Sequence, residues 1–311
     1  YRFIPYNRAL LKAFRDNYDM ILIENNMQVY EDIYKHAKNG IDNMIYHMHN
    51  DIDGTTKPEY LCEFIADTAK VILPVSEYLK NHFDDVAPNN KMTVLYNCVD
   101  FESFDINKNS NTEKLKNKYG IQKEDFVFLY TGRVCPEKGI LELLQAFKEV
   151  YKKRGNVKLL IVGSRWYNQI FKDEYFEKLI EESKECSDRI IFTGYVFPEN
   201  MPDIYTLADV LVIPSMWEEP FGVVALEGMA MRIPIISTNS GGLLEVLDDS
   251  MAVIVDKNTN AVENLESAMK DLLENQEKRI SLAEKAYTEV KNNGAYHKKR
   301  YYYNFKKCIE K

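Results

Sequence analysis

Between residues 126 and 255 the chain repeats one pattern six times, and that repetition restricts its fold more than any other feature. Short β-rich runs stand at FVFLYT (126–131), VKLLIVG (157–163), RIIFTG (189–194), DVLVIP (209–214), IPIIST (233–238) and AVIV (252–255). Helical stretches separate them, among them Gly139 to Arg154 and Asp173 to Lys184. Strand–helix–strand alternation calls for a parallel sheet covered on both faces. Six such strands complete one doubly wound α/β domain.

The first third alternates in the same way but less cleanly. Its strands are expected at MILIE (20–24), NMIYHMH (43–49), KVILPVS (70–76) and MTVLYN (92–97). The polar stretch from Asp105 to Lys118 breaks the pattern and marks a junction. A chain of 311 residues accommodates two α/β domains. The expected division is 1–108, 109–292 and a terminal helical segment, 293–311. There is no initiator Met, and a helical stretch around Leu10 to Phe14 precedes the first strand. The opening βα units of the first domain are therefore expected to be missing, which leaves it abbreviated.

Composition narrows the function. A net charge of −8 disfavours a general nucleic-acid binder, because phosphate neutralisation needs a basic surface. No apolar run approaches the roughly 20 residues that span a bilayer. Cys62, Cys98, Cys135, Cys186 and Cys308 show neither disulfide nor zinc spacing, which fits a reducing cytoplasm.

In open α/β sheets, ligands bind beyond the carboxyl ends of the strands. The segments at those ends are GRVCPEKG (132–139), SRW, Tyr195-Val196, SMWEEPFG (215–222) and NSGG (239–242). Within EPFGVVALE (219–227), Pro220 suits a helix entry. Backbone N–H groups around Gly222, Val223 and Val224 then stand at a helix N-terminus, which favours phosphate. Glu227 lies about one turn deeper, where a carboxylate accepts two hydrogen bonds from a ribose diol. Glu219, on the loop before the helix, suits another set of hydroxyls. Arg133 and Lys138 add the charge that a departing diphosphate needs, which fits catalysis without a metal.

The run GRVCPEKG, then FTGYV, MPDIYTLADVLVIPSMWEEPFGVVALEGMA and TNSGGLLEVL, resembles the retaining glycosyltransferases of family 4 over about residues 126–250. The pair Glu219 and Glu227, with the upstream Arg and Lys, carries the resemblance. It implies the GT-B fold, two Rossmann-like domains facing a cleft. It implies that Arg133 and Lys138, with Gly132 beside them, hold a donor diphosphate, that Glu227 binds ribose and that Glu219 meets the transferred sugar. Phe221 and the backbone of Gly222 to Val224 would border sugar and phosphate, and Tyr195 and Val196 the base. VILPVSEYLKNHF (71–83) and VLYNCVDFESF (94–104) resemble the close of the family's first domain, with Cys98 where the family usually has glycine. In HMHND (47–51), His49 aligns with the family's sugar-contacting histidine and His47 is expected to face the sheet interior or its other side, although strand alternation puts both on one face and leaves either as the candidate. The family's glycine-rich first loop has no counterpart here.

Blander readings stand beside these. Arg133 and Lys138 also suit surface charges on a loop, and Glu219 and Glu227 suit solvated carboxylates at a helix start, where the dipole favours acids. Asp51-Ile52-Asp53 has an acid–x–acid form used for metals, but acid-rich turns after strands are common. Cys135 is expected to pack, Trp217 to lie beside the site, and Gly241 and Gly242 to make a tight turn. HKKRYYYNFKK (297–307) offers either a helix returning to the first domain or a peripheral contact with anionic lipid.

The expected activity is retaining transfer of a sugar from a nucleoside-diphosphate sugar, UDP-linked by family frequency, to a glycan or lipid-linked hydroxyl acceptor. No metal or other cofactor is expected beyond the donor, and no nucleic-acid partner. A nucleotide-sugar epimerase or hydrolase, or a catalytically silent partner subunit, are the alternatives. Oligomeric state leaves no readable mark.

Overall fold

The computed structural model describes residues 3–14, 18–36, 43–52, 58–108, 111–164 and 174–310. The chain forms two compact units, one of Tyr1–Asn97 and Arg300–Lys311, the other of Cys98–Lys299. In the first unit the elements run α1 (Phe3–Ala13), β1 (Ile21–Glu24), α2 (Met27–His36), β2 (Met44–Met48), α3 (Pro58–Thr68), β3 (Val71–Pro74) and α4 (Glu77–Val86). The three strands pair in parallel in the order β1-β2-β3. Every residue of β2 and β3 is buried, whereas β1 is largely exposed. Helix α4 starts where the Ser76 hydroxyl accepts the Leu79 N–H at 3.1 Å, which satisfies one orphan donor of the first turn.

The second unit contains α5 (Thr112–Tyr119), β4 (Phe126–Thr131), α6 (Ile140–Lys153), β5 (Val157–Val162), α7 (Glu174–Ser183), β6 (Ile190–Gly194) and α8 (Met201–Tyr205). It continues with β7 (Val210–Ile213), α9 (Val223–Ala230), β8 (Ile235–Thr238), β9 (Ala252–Val255), α10 (Ala261–Glu274) and α11 (Gln276–Asn292). All six strands are parallel in the order β6-β5-β4-β7-β8-β9, the doubly wound arrangement expected from the alternation. Helix α6 buries Leu143, Leu144, Phe147 and Val150 against Phe128, Leu159 and Ile161 of the sheet. Each such side chain contributes about 1.5–3 kcal/mol when fully buried.

Two details differ from the sequence reading. The expected strand 92–97 is a single parallel bridge, Met92 to Ile72, extended by hydrogen bonds from Thr93 N to Ile72 O and Leu95 N to Pro74 O. The division between units falls before Cys98 rather than after residue 108. Val99 bridges to His297, Lys298 pairs with Asp100 at 2.7 Å, and Phe104 packs edge-on against Tyr205. These contacts tie residues 98–108 to the second unit. Cys98 needs no left-handed backbone, since the non-glycine residues with positive φ among those described are Asn25, Arg232 and Asn260.

The last helix, α12 (Lys298–Ile309), places Cys308 in a core cluster of the first unit with Ile45, Val71, Leu73 and Leu95. Tyr301, Phe305 and Ile309 pack against the same cluster. No helix among the described residues is long and apolar enough to cross a membrane.

Candidate active site

Strand order reverses between β4 and β7, which lie side by side although β5 and β6 separate them in sequence. The loops leaving those two strands therefore diverge and open a crevice at the carboxyl edge. They also touch. Gly139, at φ +69°, closes the β4 loop so tightly that a Cβ there would stand 1.8 Å from the Pro214 carbonyl oxygen. The Met216 N–H donates to the Glu137 carbonyl at 2.9 Å across the same approach.

A cavity of about 490 Å³ occupies this edge within the second unit. Thr131, Gly132 and Arg133 line one side, Val162 to Ser164 a second, and Tyr195, Val196, Pro198 and Met201 a third. Val224 and Glu227 close it, with Phe104. Apolar walls with one cation and one acid fit a flat heterocycle carrying hydroxyls and phosphate.

Beside the cavity, Lys138 Nζ lies 2.6 Å and 2.9 Å from the two carboxylate oxygens of Glu219. Glu219 is buried, and the Ser215 hydroxyl donates to it as well. Its backbone N–H donates to Ser240 Oγ at 3.0 Å, and its carbonyl accepts from Gly242 N at 2.7 Å. Gly241, at φ +41°, has no room for a Cβ, which would meet the Glu219 carbonyl at 2.5 Å. The NSGG turn thus holds the loop that carries Glu219. Trp217 packs below the ammonium of Lys138, 4.8 Å from ring centre to Nζ.

Glu227 sits on α9 with its Oε2 accepting from the Tyr205 hydroxyl at 2.6 Å. Desolvation pushes its carboxyl from 4.5 up to about 7, and the Tyr205 hydrogen bond only partly opposes this. Tyr205 is fully buried and also lies 3.1 Å from Thr131 Oγ1. Sequence reasoning missed Tyr205, Thr131, Ser215 and Ser240.

Of the residues expected to bind donor, the structure brings Gly132, Arg133, Tyr195, Val196, Val224 and Glu227 to the cavity wall. Lys138 and Glu219 stand together at the neighbouring strand end, engaged with each other. Gly222 begins α9 at φ +103°, and Val223 follows it on the exposed surface. Phe221 departs from expectation. It is buried, and its ring lies 6.2 Å from that of Tyr296, so this apolar side chain serves the core instead of the cavity wall. Burial pushes the Cys135 thiol up to about 12, so it packs as a protonated group.

His49 belongs to the first unit. Its Nε2 lies 2.7 Å from Glu24 Oε2, and His47 Nδ1 lies 3.1 Å from the same oxygen. His47 is buried, and burial lowers its pKa. Asn25 Oδ1 accepts the N–H groups of His49 and Asn50 at 3.1 Å and 2.8 Å, which fixes the turn after β2. Glu24, His47 and His49 stand close enough to share a cation. Hydrogen bonds to the Glu24 carboxylate already account for their approach, however. The buried Nε2 of His47 also lacks the acceptor that orients a metal-ligating imidazole. Asp51 is engaged locally, with Tyr78 Oη at 3.0 Å and His82 Nδ1 at 2.7 Å. Asp53, Arg165 and Trp166 lie outside the described residues.

Comparison with known proteins follows the same lines. Residues 111–289 match the family Glycosyl transferases group 1. A lipopolysaccharide 1,2-N-acetylglucosaminetransferase of Salmonella typhimurium is 31% identical over 253 residues, covering 80% of this chain and 63% of that protein. The chain thus spans just under two thirds of that relative's length. Spore coat protein SA of Bacillus subtilis is 26% identical over 286 residues, covering 90% of this chain and 75% of that protein. Anabaena HepE, solved in complex with UDP and glucose, shares the fold with a TM-score of 0.84 at 17% identity, over 99% of this chain and 82% of HepE. A sucrose-phosphate synthase from Thermosynechococcus elongatus aligns with a TM-score of 0.80 at 19% identity, over 98% of this chain and 76% of the synthase. The GT-B fold of two Rossmann-like α/β units and the strand-end motifs agree, and the chain belongs to the Glycosyl transferases group 1 family.

Proposed function

We propose that the protein transfers a sugar, with retention of anomeric configuration, from a nucleoside-diphosphate donor to a hydroxyl of a glycan or lipid-linked acceptor. One observation carries the reading: the cavity at the β4/β7 switch point is lined by both Arg133 and Glu227 within largely apolar surroundings. Arg133 meets the diphosphate, Glu227 the ribose, and Tyr195 and Val196 the base. UDP is the nucleotide this reading takes, on family frequency and on the nucleotide bound by HepE.

Lys138 spends two of its three donors on Glu219 and keeps a third for the leaving diphosphate. Glu219, fixed by Ser215 and Lys138, offers its remaining acceptor capacity to the sugar. In the first unit, His49, held by Glu24, is the residue to which this reading gives a sugar-binding role. The acceptor hydroxyl attacks from the face the diphosphate leaves, and the departing phosphate oxygen takes its proton. Arg133 and Lys138 stabilise the charge that develops, so the reaction proceeds without a metal. The setting is the cytoplasm. The exposed Tyr302 and Tyr303 of α12, flanked by Arg300, Lys306 and Lys307, give a peripheral contact with anionic lipid.

The test is calorimetric titration with UDP and a panel of UDP-sugars, followed by NMR of the product from a responsive donor. Binding of UDP and an α-linked product from an α-linked donor are expected. Inversion of the linkage or absence of UDP binding overturns the reading, and an acceptor-independent product assigns an epimerase or hydrolase.

A further inference from the structure

Behind the ribose acid runs a hydrogen-bonded chain whose other two members, Tyr205 and Thr131, have no part in the donor-site roles above. The Tyr205 hydroxyl donates to Glu227 Oε2 at 2.6 Å. While Glu227 is ionised the phenol proton is spent there, so at the 3.1 Å contact with Thr131 the threonine hydroxyl donates and the tyrosine oxygen accepts. With the acid ionised, the chain runs from Thr131 to Tyr205 to Glu227.

Each member is held from a different direction. Thr131 ends β4, Tyr205 ends α8, and Glu227 lies on α9. Phe104, itself a lining residue, packs edge-on against the Tyr205 ring at 5.7 Å and 70°. Tyr205 is fully buried, and burial raises its pKa well above the usual phenol range, so its hydroxyl remains a donor. Thr131 and Glu227 both line the cavity, and Tyr205 joins them from behind. A lone carboxylate on a helix rotates among several rotamers. One oxygen tethered to a buried hydroxyl removes that freedom before a ligand arrives.

We propose that Tyr205 is a positioning residue for nucleotide recognition: its hydroxyl, fed by Thr131, holds Glu227 in one orientation so that the carboxylate meets a ribose diol without reorganisation. The proposal rests on the reading of Glu227 as the ribose acid. Tyr205 is buried and is not one of the residues that line the cavity, so it acts through Glu227. The chain also sets the charge of the acid, because a hydrogen bond to the ionised form opposes the burial that favours the neutral one.

Tyr205→Phe keeps the ring and removes the hydroxyl. Two measurements read it. In protein labelled with carboxyl ¹³C-glutamate, one signal of the wild type is expected to titrate near 7 and to be missing in Glu227→Gln. In Tyr205→Phe its midpoint is expected to rise. By calorimetry, UDP is expected to bind about ten-fold more weakly to the variant, while 2′,3′-dideoxy-UDP is unchanged. Thr131→Val, which leaves the tyrosine in place, is expected to move the midpoint in the same direction by less. It supplies the reading if Tyr205→Phe does not fold. UDP binding with an unmoved Glu227 midpoint, or equal losses for UDP and the dideoxy nucleotide, overturns this proposal alone. Failure of the wild type to bind UDP overturns the donor reading and this proposal with it.

Discussion

Lys138 and Glu219, 81 positions apart in sequence, form a two-pronged ion pair, with both carboxylate oxygens within 2.9 Å of one ammonium. Both side chains are mostly buried, at 17% and 10% exposure. Removing one partner strands a charge, which costs about 3 kcal/mol or more, whereas removing both is far milder. Lys138→Met is therefore expected to lower the urea midpoint strongly. Lys138→Met/Glu219→Gln is expected to regain most of that loss while remaining inactive. Equal destabilisation by the single and double variants refutes this coupling.

Arg133 behaves oppositely. Its side chain is 56% exposed, and its 3.4 Å contact with Glu137 is a surface pair of little energetic weight. Arg133→Ala is expected to change stability by less than about 0.5 kcal/mol. Turnover at saturating donor is expected to fall about a hundred-fold or more, as for a lost transition-state contact. Near-wild-type turnover argues against a diphosphate role.

Glu227 links pH to both binding and stability. Its carboxyl titrates at about 7 in the folded chain against an ordinary 4.5, so folding favours its protonated form. That contribution is full below 4.5 and is lost as pH rises through 7. Glu227→Gln is therefore expected to stabilise the ligand-free protein at pH 8, by up to ~3 kcal/mol, and hardly at pH 4. Binding runs the other way, because a ribose diol needs the ionised acid. The Kd for UDP is expected to rise about ten-fold from pH 8 to pH 6. Thermal melts and calorimetry at those pH values check both.

Gly139→Ala tests the loop closure. Its left-handed φ and the 1.8 Å approach to Pro214 leave no space for a methyl group. The variant is expected to lose more than about 2 kcal/mol and, by displacing Lys138, to lose turnover beyond what partial unfolding explains. An active variant with an unchanged melting temperature contradicts the tight approach of the two loops.

Metal removal is a final check. With Asp51 bound to Tyr78 and His82, activity is expected to survive EDTA unchanged. Loss on chelation, restored by a divalent ion, directs attention to Glu24, His47 and His49.

Much of this was legible in the sequence, for physical reasons. Strands β4 and β9 lie where FVFLYT and AVIV predict, because uninterrupted apolar runs have no other stable place in a sheet covered on both faces. The site loops were legible because glycines, cations and acids recur at the carboxyl ends of those strands. Phe221 was misplaced because an aromatic inside a functional motif looks the same whether it faces ligand or core. Its partner Tyr296 lies on a distant segment that motif spacing does not reveal. Tyr205 was overlooked for the same reason, since its meaning arises from a contact across 22 positions with Glu227. The run at 92–97 read as a strand from its composition, but its pairing to β3 is confined to a bridge and its flanking hydrogen bonds.

The placement of α12 has a consequence for how the protein is made. The first unit draws its core from Ile45, Val71 and Leu73 near the start of the chain and from Cys308 near the end. A ribosome delivers Leu73 and Cys308 235 residues apart, with the whole of the six-stranded unit between them. The apolar cluster of the first unit therefore stays uncovered by α12 until residues 300–311 have been made.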